Sequence, residues 1–251
     1  KSNSMFDQLS LRVAQQSFEE SRISRNFNGD TRQRRIENVE AYSVNLDLIK
    51  NIGSASTVYY GAEYVLNDVT SIGRNEIVFD SVIRSDSITA GSSRYPQSVW
   101  ESIAAYVNKE YRPSKQLTFQ AGLRYNHFML ESDFSNNTDF YPFPFTSAEI
   151  NNGALTGSLG VVFKPTGSWV IKMNAGTAFR SPNVDDIGKV FDSEQGTVVV
   201  PNPDLKAEYA YSFDLGIGKG FSEKAKIDIS GFYTVLNNAM VRRDFQISGR
   251  D

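Results

Sequence analysis

His127 is the only imidazole in the chain, and there is no cysteine. Nucleophilic or metal chemistry would have to be built from carboxylates, hydroxyls and that one ring. A Ser-His-Asp hydrolase needs the histidine beside a serine and an acid. His127 instead has the outward parity of an extended segment, beside Tyr125 and Met129, and an interfacial or surface place suits it better than a metal or haem ligand. Asp185, Asp186, Asp192 and Glu194 offer hard oxygen ligands without an ordered calcium-loop spacing, so they read as solvated loop charge. The run GIGKG at 216–220 sits inside a strand rather than opening a helix, which removes a phosphate-loop reading. No catalytic residue, metal set or cofactor is expected, and the chain reads as a non-enzyme.

The elements that position these groups are extended. Tyr209, Tyr211, Phe213, Leu215 and Ile217 share one parity, against Glu208, Ser212, Asp214, Gly216 and Gly218 on the other. Residues 169–180 alternate in the same way, as do 116–130, 154–164, 39–49, 57–67 and 226–235, a period of two that predicts strands. With 5–24 and 98–111 the count is about nine. The facing of 98–111 stays open, because Trp100 and Tyr106 lie on one parity and Ile103 and Val107 on the other. Connections at 50–56, 112–115, 164–168 and 220–224 are tight turns of Pro, Gly, Ser and Lys. Those at 74–97, 135–151 and 181–204 are long, which puts loops at one end of the sheet and turns at the other.

Alternation alone fits either a soluble sheet or a membrane wall. Strand length separates them, since a sandwich strand needs about 5–6 residues and a tilted membrane strand about 9–11. Several segments here exceed the second figure, and Tyr111, Tyr125, Phe163, Trp169, Phe179, Tyr209 and Phe221 sit toward strand ends, as an interfacial aromatic girdle requires. No window approaches the roughly 18 apolar residues of a membrane helix. Basic and acidic side chains number 26 and 29, so no basic field for nucleic acid exists. No signal peptide is read at the start. Bacterial single-chain barrels close with an even strand number, so nine strands point to a portion of a larger wall.

The stretch TAFRSPNVDDIG at 177–188, followed by VPNPDLKAEYAYSFDLGIG at 200–218, resembles the barrel signature of TonB-dependent outer-membrane receptors. Arg180 and Pro182 match an Arg-x-Pro element that ends one strand; Asn202, Pro203, Leu205 and Glu208 match an Asn-Pro-x-Leu-x-x-Glu element that opens the next. Pro182 cannot donate to a ladder and biases Ser181 toward an extended conformation, so pairing ends there. Arg180 and Glu208 share lumenal parity, and an ion pair fixing the loop base follows, which makes the six motif residues structural.

The resemblance implies an all-β, antiparallel up-and-down transmembrane barrel, with residues 1–251 supplying about nine of 22 strands and no plug domain. It implies a receptor in the bacterial outer membrane that binds a scarce nutrient, a ferric siderophore or other iron complex, and imports it with energy from the TonB complex acting through a plug absent from this chain. Its other partner is outer-membrane lipid. Haem receptors of the family often carry a histidine between the two elements, and residues 183–201 hold none. Tyr95, Phe140, Tyr141, Phe143 and Phe145, in the loops, are the candidate ligand contacts. A passive porin-like or structural barrel and a soluble surface β-sandwich adhesin are the rival readings.

Overall fold

The computed structural model describes residues 3–80, 82–84, 88–141, 143–188, 192–194, 197, 198, 202, 204–222 and 224–241. In chain order the elements are β1 (Gln8–Arg25), β2 (Thr31–Ile52), β3 (Ser56–Phe79), β4 (Val82–Ile83), β5 (Thr89–Gly91), β6 (Gln97–Tyr111), β7 (Leu117–Asp133), α1 (Ser135–Thr138), β8 (Ser147–Phe163), β9 (Trp169–Arg180), α2 (Val184–Gly188), β10 (Asp192–Glu194), β11 (Thr197–Val198), β12 (Glu208–Ser222) and β13 (Ala225–Asn237). The long strands form one open sheet in the order β1-β2-β3-β6-β7-β8-β9-β12-β13, antiparallel throughout, with β4 and β5 attached to β3. Among the described residues nine long strands run up and down, as the periodicity predicts. Among the described residues no helix is long and apolar enough to cross a membrane.

The register puts like with like. Val13, Val44, Tyr64, Ile103 and His127 stand opposite one another in a row across five strands. A second row joins Ala121, Leu159, Ala175 and Phe213. Side chains on this outward face stay uncovered, Leu159 at 65% exposure and Ile229 at 71%. In water each large side chain left this way forgoes about 1.5–3 kcal/mol of burial; in hydrocarbon it is solvated. The β-sandwich reading is corrected here, because Tyr211, Phe213, Leu215 and Ile217 are all exposed, with no second layer over them among the described residues. On β12 the outward face runs ten residue steps from Tyr211 to Phe221. At about 3.3 Å per residue and a tilt near 40°, that rises about 25 Å, the height of an apolar band between aromatic girdles. Lys219 lies over the Trp169 ring at 4.5 Å and the Phe221 ring at 5.1 Å, a cation on the aromatic belt at the turn end.

The opposite face is polar and internally bonded. Arg124 Nη2 reaches Glu63 Oε1 at 2.7 Å, Asn126 Nδ2 donates to Ser102 Oγ at 2.9 Å, and Asn174 Nδ2 donates to Asp214 Oδ1 at 2.9 Å. The open question about 98–111 resolves: Val99, Ile103, Val107 and Tyr111 are outward and exposed, while Trp100 and Tyr106 turn inward. Tyr106 crosses Gly61 and donates to Asp47 Oδ1 at 2.5 Å, and Arg12 engages the other oxygen of that carboxylate. A Cβ at Gly61 would stand 2.9 Å from the Tyr106 ring, so the glycine makes that crossing possible.

Three expectations shift. β3 continues to Phe79 and β8 begins at Ser147, so the expected loops at 74–97 and 135–151 lose residues to strand. At this end the outward face turns polar and loops cover the inward face, so the extra pairing depends on tertiary packing rather than on a continued lipid-facing alternation. The connection between β1 and β2 lies at the loop end but is itself a tight turn, with Asn28 at φ 58°. Phe179 and Tyr209, expected in the outer girdle, are half-buried against the loop-end core.

Candidate functional site at the loop end

The loop end carries the one apolar core of the described chain. Phe128 and Leu130 from β7, Ile150 from β8, Phe134, Ile187 and Ala207 are buried together, with Trp100, Val184 and Leu205 packed on them. Five chain segments, three of them strands of the wall, therefore meet here. Apolar residues occupy the inward face here because loops cover it.

The Arg-x-Pro and Asn-Pro elements form the base of this assembly. Register sets Arg180 opposite Glu208, and Arg180 Nη1 donates to Glu208 Oε2 at 3.3 Å. The closer partner is one that sequence reasoning assigned to solvent: Arg180 Nη2 donates to Asp186 Oδ1 at 2.6 Å and Oδ2 at 2.8 Å. Asp186 in turn exchanges hydrogen bonds with Asn183. Its backbone amide donates to Asn183 Oδ1 at 3.0 Å, and its Oδ2 accepts the Asn183 amide at 3.0 Å. That is a reciprocal cap on α2, and the Asn-x-x-Asp spacing in the sequence is its readable signal. Glu208 also accepts the Met240 amide at 2.5 Å, so residues after β13 join the clamp. Pro182 is fully buried, and Asn202 Oδ1 accepts the Asp204 amide at 3.0 Å in a local turn. Pro203 and the side chains of Asp192 and Glu194 lie outside the described residues.

The aromatic candidates divide. Phe143 and Phe145 stack on each other at 5.7 Å and meet Phe134 edge-on at 5.8 and 5.3 Å, so both belong to the core. Tyr141 stacks on Phe143 at 5.8 Å, and Phe140 is 41% exposed. Tyr95, in the turn before β6, donates its hydroxyl to Asp185 Oδ1 at 2.7 Å. Burial, and then the Asp185 carboxylate, push Tyr95 well above the ordinary tyrosine range. Asn137 Nδ2 donates to Ser93 Oγ at 3.0 Å, and Arg35 bonds Ser92 through both Nε and Nη2 at 3.3 Å. Three loops and the inner wall are thus cross-tied. Beside them Glu37 is 4% exposed, with neither carboxylate oxygen bonded to another group of the described chain. Nothing in the sequence marks Glu37, because its burial depends on the turn at 92–96 folding over β2.

His127 takes its outward place, half-buried, with Tyr125 stacked beside it at 6.4 Å. Among the described residues no three His, Cys, Asp or Glu side chains converge on a metal position. The arrangement can present aromatic edges, guanidinium groups and carboxylates to a solute at the loop end.

Comparison with known proteins accords with this architecture. A Serratia marcescens hemophore receptor, HasR, in complex with its hemophore HasA and heme, is similar over 92% of this chain and 40% of its own, with a TM-score of 0.65 and 14% identity. The copper transporter OprC matches 94% of this chain and 37% of its own, with a TM-score of 0.74 and 13% identity. The ferric yersiniabactin uptake receptor FyuA from Yersinia pestis matches 92% and 35%, with a TM-score of 0.59 and 15% identity. The chain therefore spans well under half the length of these structures, and the likeness shows the fold. No curated protein sequence matches it. The family model for "TonB dependent receptor-like, beta-barrel" matches residues 2–250, and the chain belongs to that family.

Proposed function

We propose that residues 1–251 form part of the barrel of an outer-membrane receptor that captures a ferric siderophore or related iron complex and imports it with TonB-supplied energy, through a plug carried elsewhere in the receptor. The observation that carries this reading is the cross-tied loop assembly, standing at one end of a wall with an apolar outer face and a polar inner face. A wall of this kind separates lipid from a hydrated interior. Loops held together at its mouth present a fixed surface, which a binding receptor needs and a passive pore does not. Phe140, Tyr141 and Tyr95 supply aromatic contact at the rim; Arg35 on the inner wall and Arg94, over the Tyr95 ring at 5.1 Å in the turn before β6, supply cations for an anionic chelate. Arg180, Pro182, Asn202, Leu205 and Glu208 hold the loop base and touch no ligand, and the same role is assigned by motif to Pro203, which lies outside the described residues. Iron complexes recur among the structures to which the chain is similar, which supports iron as the cargo. The test is growth of a strain deleted for the full receptor gene, with a ferric siderophore as the sole iron source. Complementation by the receptor restores growth, and removing TonB abolishes it. Restored growth that ignores TonB means a passive pore, and growth on no iron complex means another cargo.

A further inference from the structure

The outward face is not smooth. A groove of about 930 Å³ crosses it from β6 to β13. Its floor is small, with Ala121, Gly157 and Ala175, and its sides are Leu159, Phe213 and Tyr233. At a strand spacing of about 4.8 Å, six strands give it a length of about 24 Å. Lys109 sits at the β6 end of the groove, exposed, two residues short of Tyr111 where the chain enters a tight turn. Its row neighbours on this face are Val58 and Ala121, so no acid stands opposite it, and among the described residues it makes no ion pair. An ammonium on a lipid-facing wall needs an anion or water at the interface. A long apolar channel that ends in one lone cation on the turn side fits one kind of molecule.

We infer that this groove holds one acyl chain of a glycerophospholipid from the leaflet on the tight-turn side, with the lipid phosphate at Lys109. The inference rests on the wall facing lipid and is independent of what the receptor imports. Ala175 lies on the groove floor level with Leu159 and Phe213, so a phenylalanine there fills the channel from within. Lys109→Gln removes the charge at an exposed position and leaves the wall intact.

The test is native mass spectrometry of the full receptor carrying this segment, delipidated in detergent and titrated with solubilised phosphatidylglycerol or, separately, diacylglycerol. The parent retains one phosphatidylglycerol and prefers it to diacylglycerol. Lys109→Gln weakens phosphatidylglycerol retention about fivefold and abolishes the preference. Ala175→Phe weakens both lipids by at least about tenfold. Heat-modifiable gel migration verifies that the variants fold, and lipid retention is read without reference to uptake. Equal retention by parent and Lys109→Gln overturns the assignment, as does a receptor dimer that Ala175→Phe dissolves, which would give the groove to a second copy.

Discussion

Replacing Arg180 with alanine removes the two-armed clamp at the loop base, and the structure ranks the arms. The Asp186 arm has two contacts, 2.6 and 2.8 Å; the Glu208 arm has one, at 3.3 Å, and the two carboxylates are similarly sheltered, 18% and 13% exposed, so contact number and length decide. The Arg180 side chain is itself 49% exposed, so solvent screens both. A hydrogen bond to a charged group is worth about 1.5–3 kcal/mol when sheltered, and screening reduces the Asp186 arm to about 1 kcal/mol. The Glu208 arm then contributes about 0.3 kcal/mol. Only the Asp186 arm holds α2, so local opening of α2 becomes about fivefold more frequent in Arg180→Ala, at about 1.4 kcal/mol per factor of ten. Amide hydrogen exchange of the full receptor reads this directly at Asp186 and Ile187, whose N–H groups bond Asn183 Oδ1 and the Asn183 carbonyl. Double-mutant cycles divide the effect: Arg180→Ala with Asp186→Asn gives a coupling of about 1 kcal/mol, and Arg180→Ala with Glu208→Gln about 0.3 kcal/mol. A Glu208 coupling equal to or above the Asp186 coupling, or unchanged exchange in Arg180→Ala, refutes the ranking.

Gly61→Ala sets a Cβ 2.2 Å from the Leu46 carbonyl oxygen and 2.9 Å from the Tyr106 ring, and should destabilise the wall by about 1–3 kcal/mol; thermal unfolding in detergent measures it. Phe134→Ala empties the centre of the Phe143 and Phe145 contacts and should loosen residues 134–146 by about 3–5 kcal/mol, seen as rapid proteolysis of that loop. Phe140→Ala, at an exposed position, leaves proteolysis unchanged and weakens binding of the ferric siderophore proposed as cargo; the reverse pattern for the two phenylalanines contradicts the division between core and rim. Tyr95→Phe removes the bond to Asp185 and should speed exchange in the 181–188 loop. Because the folded Tyr95 holds its proton above the ordinary range, its contribution is complete below about pH 10 and is lost as the pH rises through the folded value. The difference from the parent therefore stays constant from neutrality to about pH 10, and a gap that closes below that points to another group.

The membrane-facing half of the fold was legible because hydrocarbon enforces a strict period: Tyr211, Phe213, Leu215 and Ile217 on β12 have no other reason to alternate with Ser212 and Asp214. The tall upper strands were not legible for the complementary reason. β3 carries Arg74 and Glu76 into a stretch whose faces are polar and partly covered by the turn at 92–96, and paired backbone of that kind leaves no hydrophobic signature. At the site, the Arg180 and Glu208 pair followed from parity alone. Asp186 did not, since an acidic pair in a loop looks solvated until the turn of α2 brings one carboxylate under the guanidinium. The aromatic run at 140–145 stayed ambiguous for a similar reason. Whether a phenylalanine packs or waits for a ligand depends on what Phe134 does, and that is tertiary information.

One feature of the wall explains why a side-chain clamp stands where it does. β7 and β8 pair up to Asp133 and Ser147, and β9 and β12 pair up to Arg180 and Glu208, but β8 and β9 stop at Ser158 and Gly176. Above that level the sheet parts, and among the described residues the upper end of β9 is paired on one side only. Thr177 Oγ1 takes over at the fork, accepting the Gly157 amide at 2.9 Å. Higher still, Phe179 leaves the outward face and stacks on Phe128 at 6.0 Å, closing the parted wall with the loop-end core. An unpaired strand edge would otherwise fray, since each missing ladder bond leaves polar groups to water. Arg180 is the last residue of β9, and it grips α2 and β12 at once. The motif that marks this family in sequence is thus placed on the stretch of β9 that has lost its pairing to β8, four residues beyond the fork at Gly176, and charge-assisted bonds hold the strand end there.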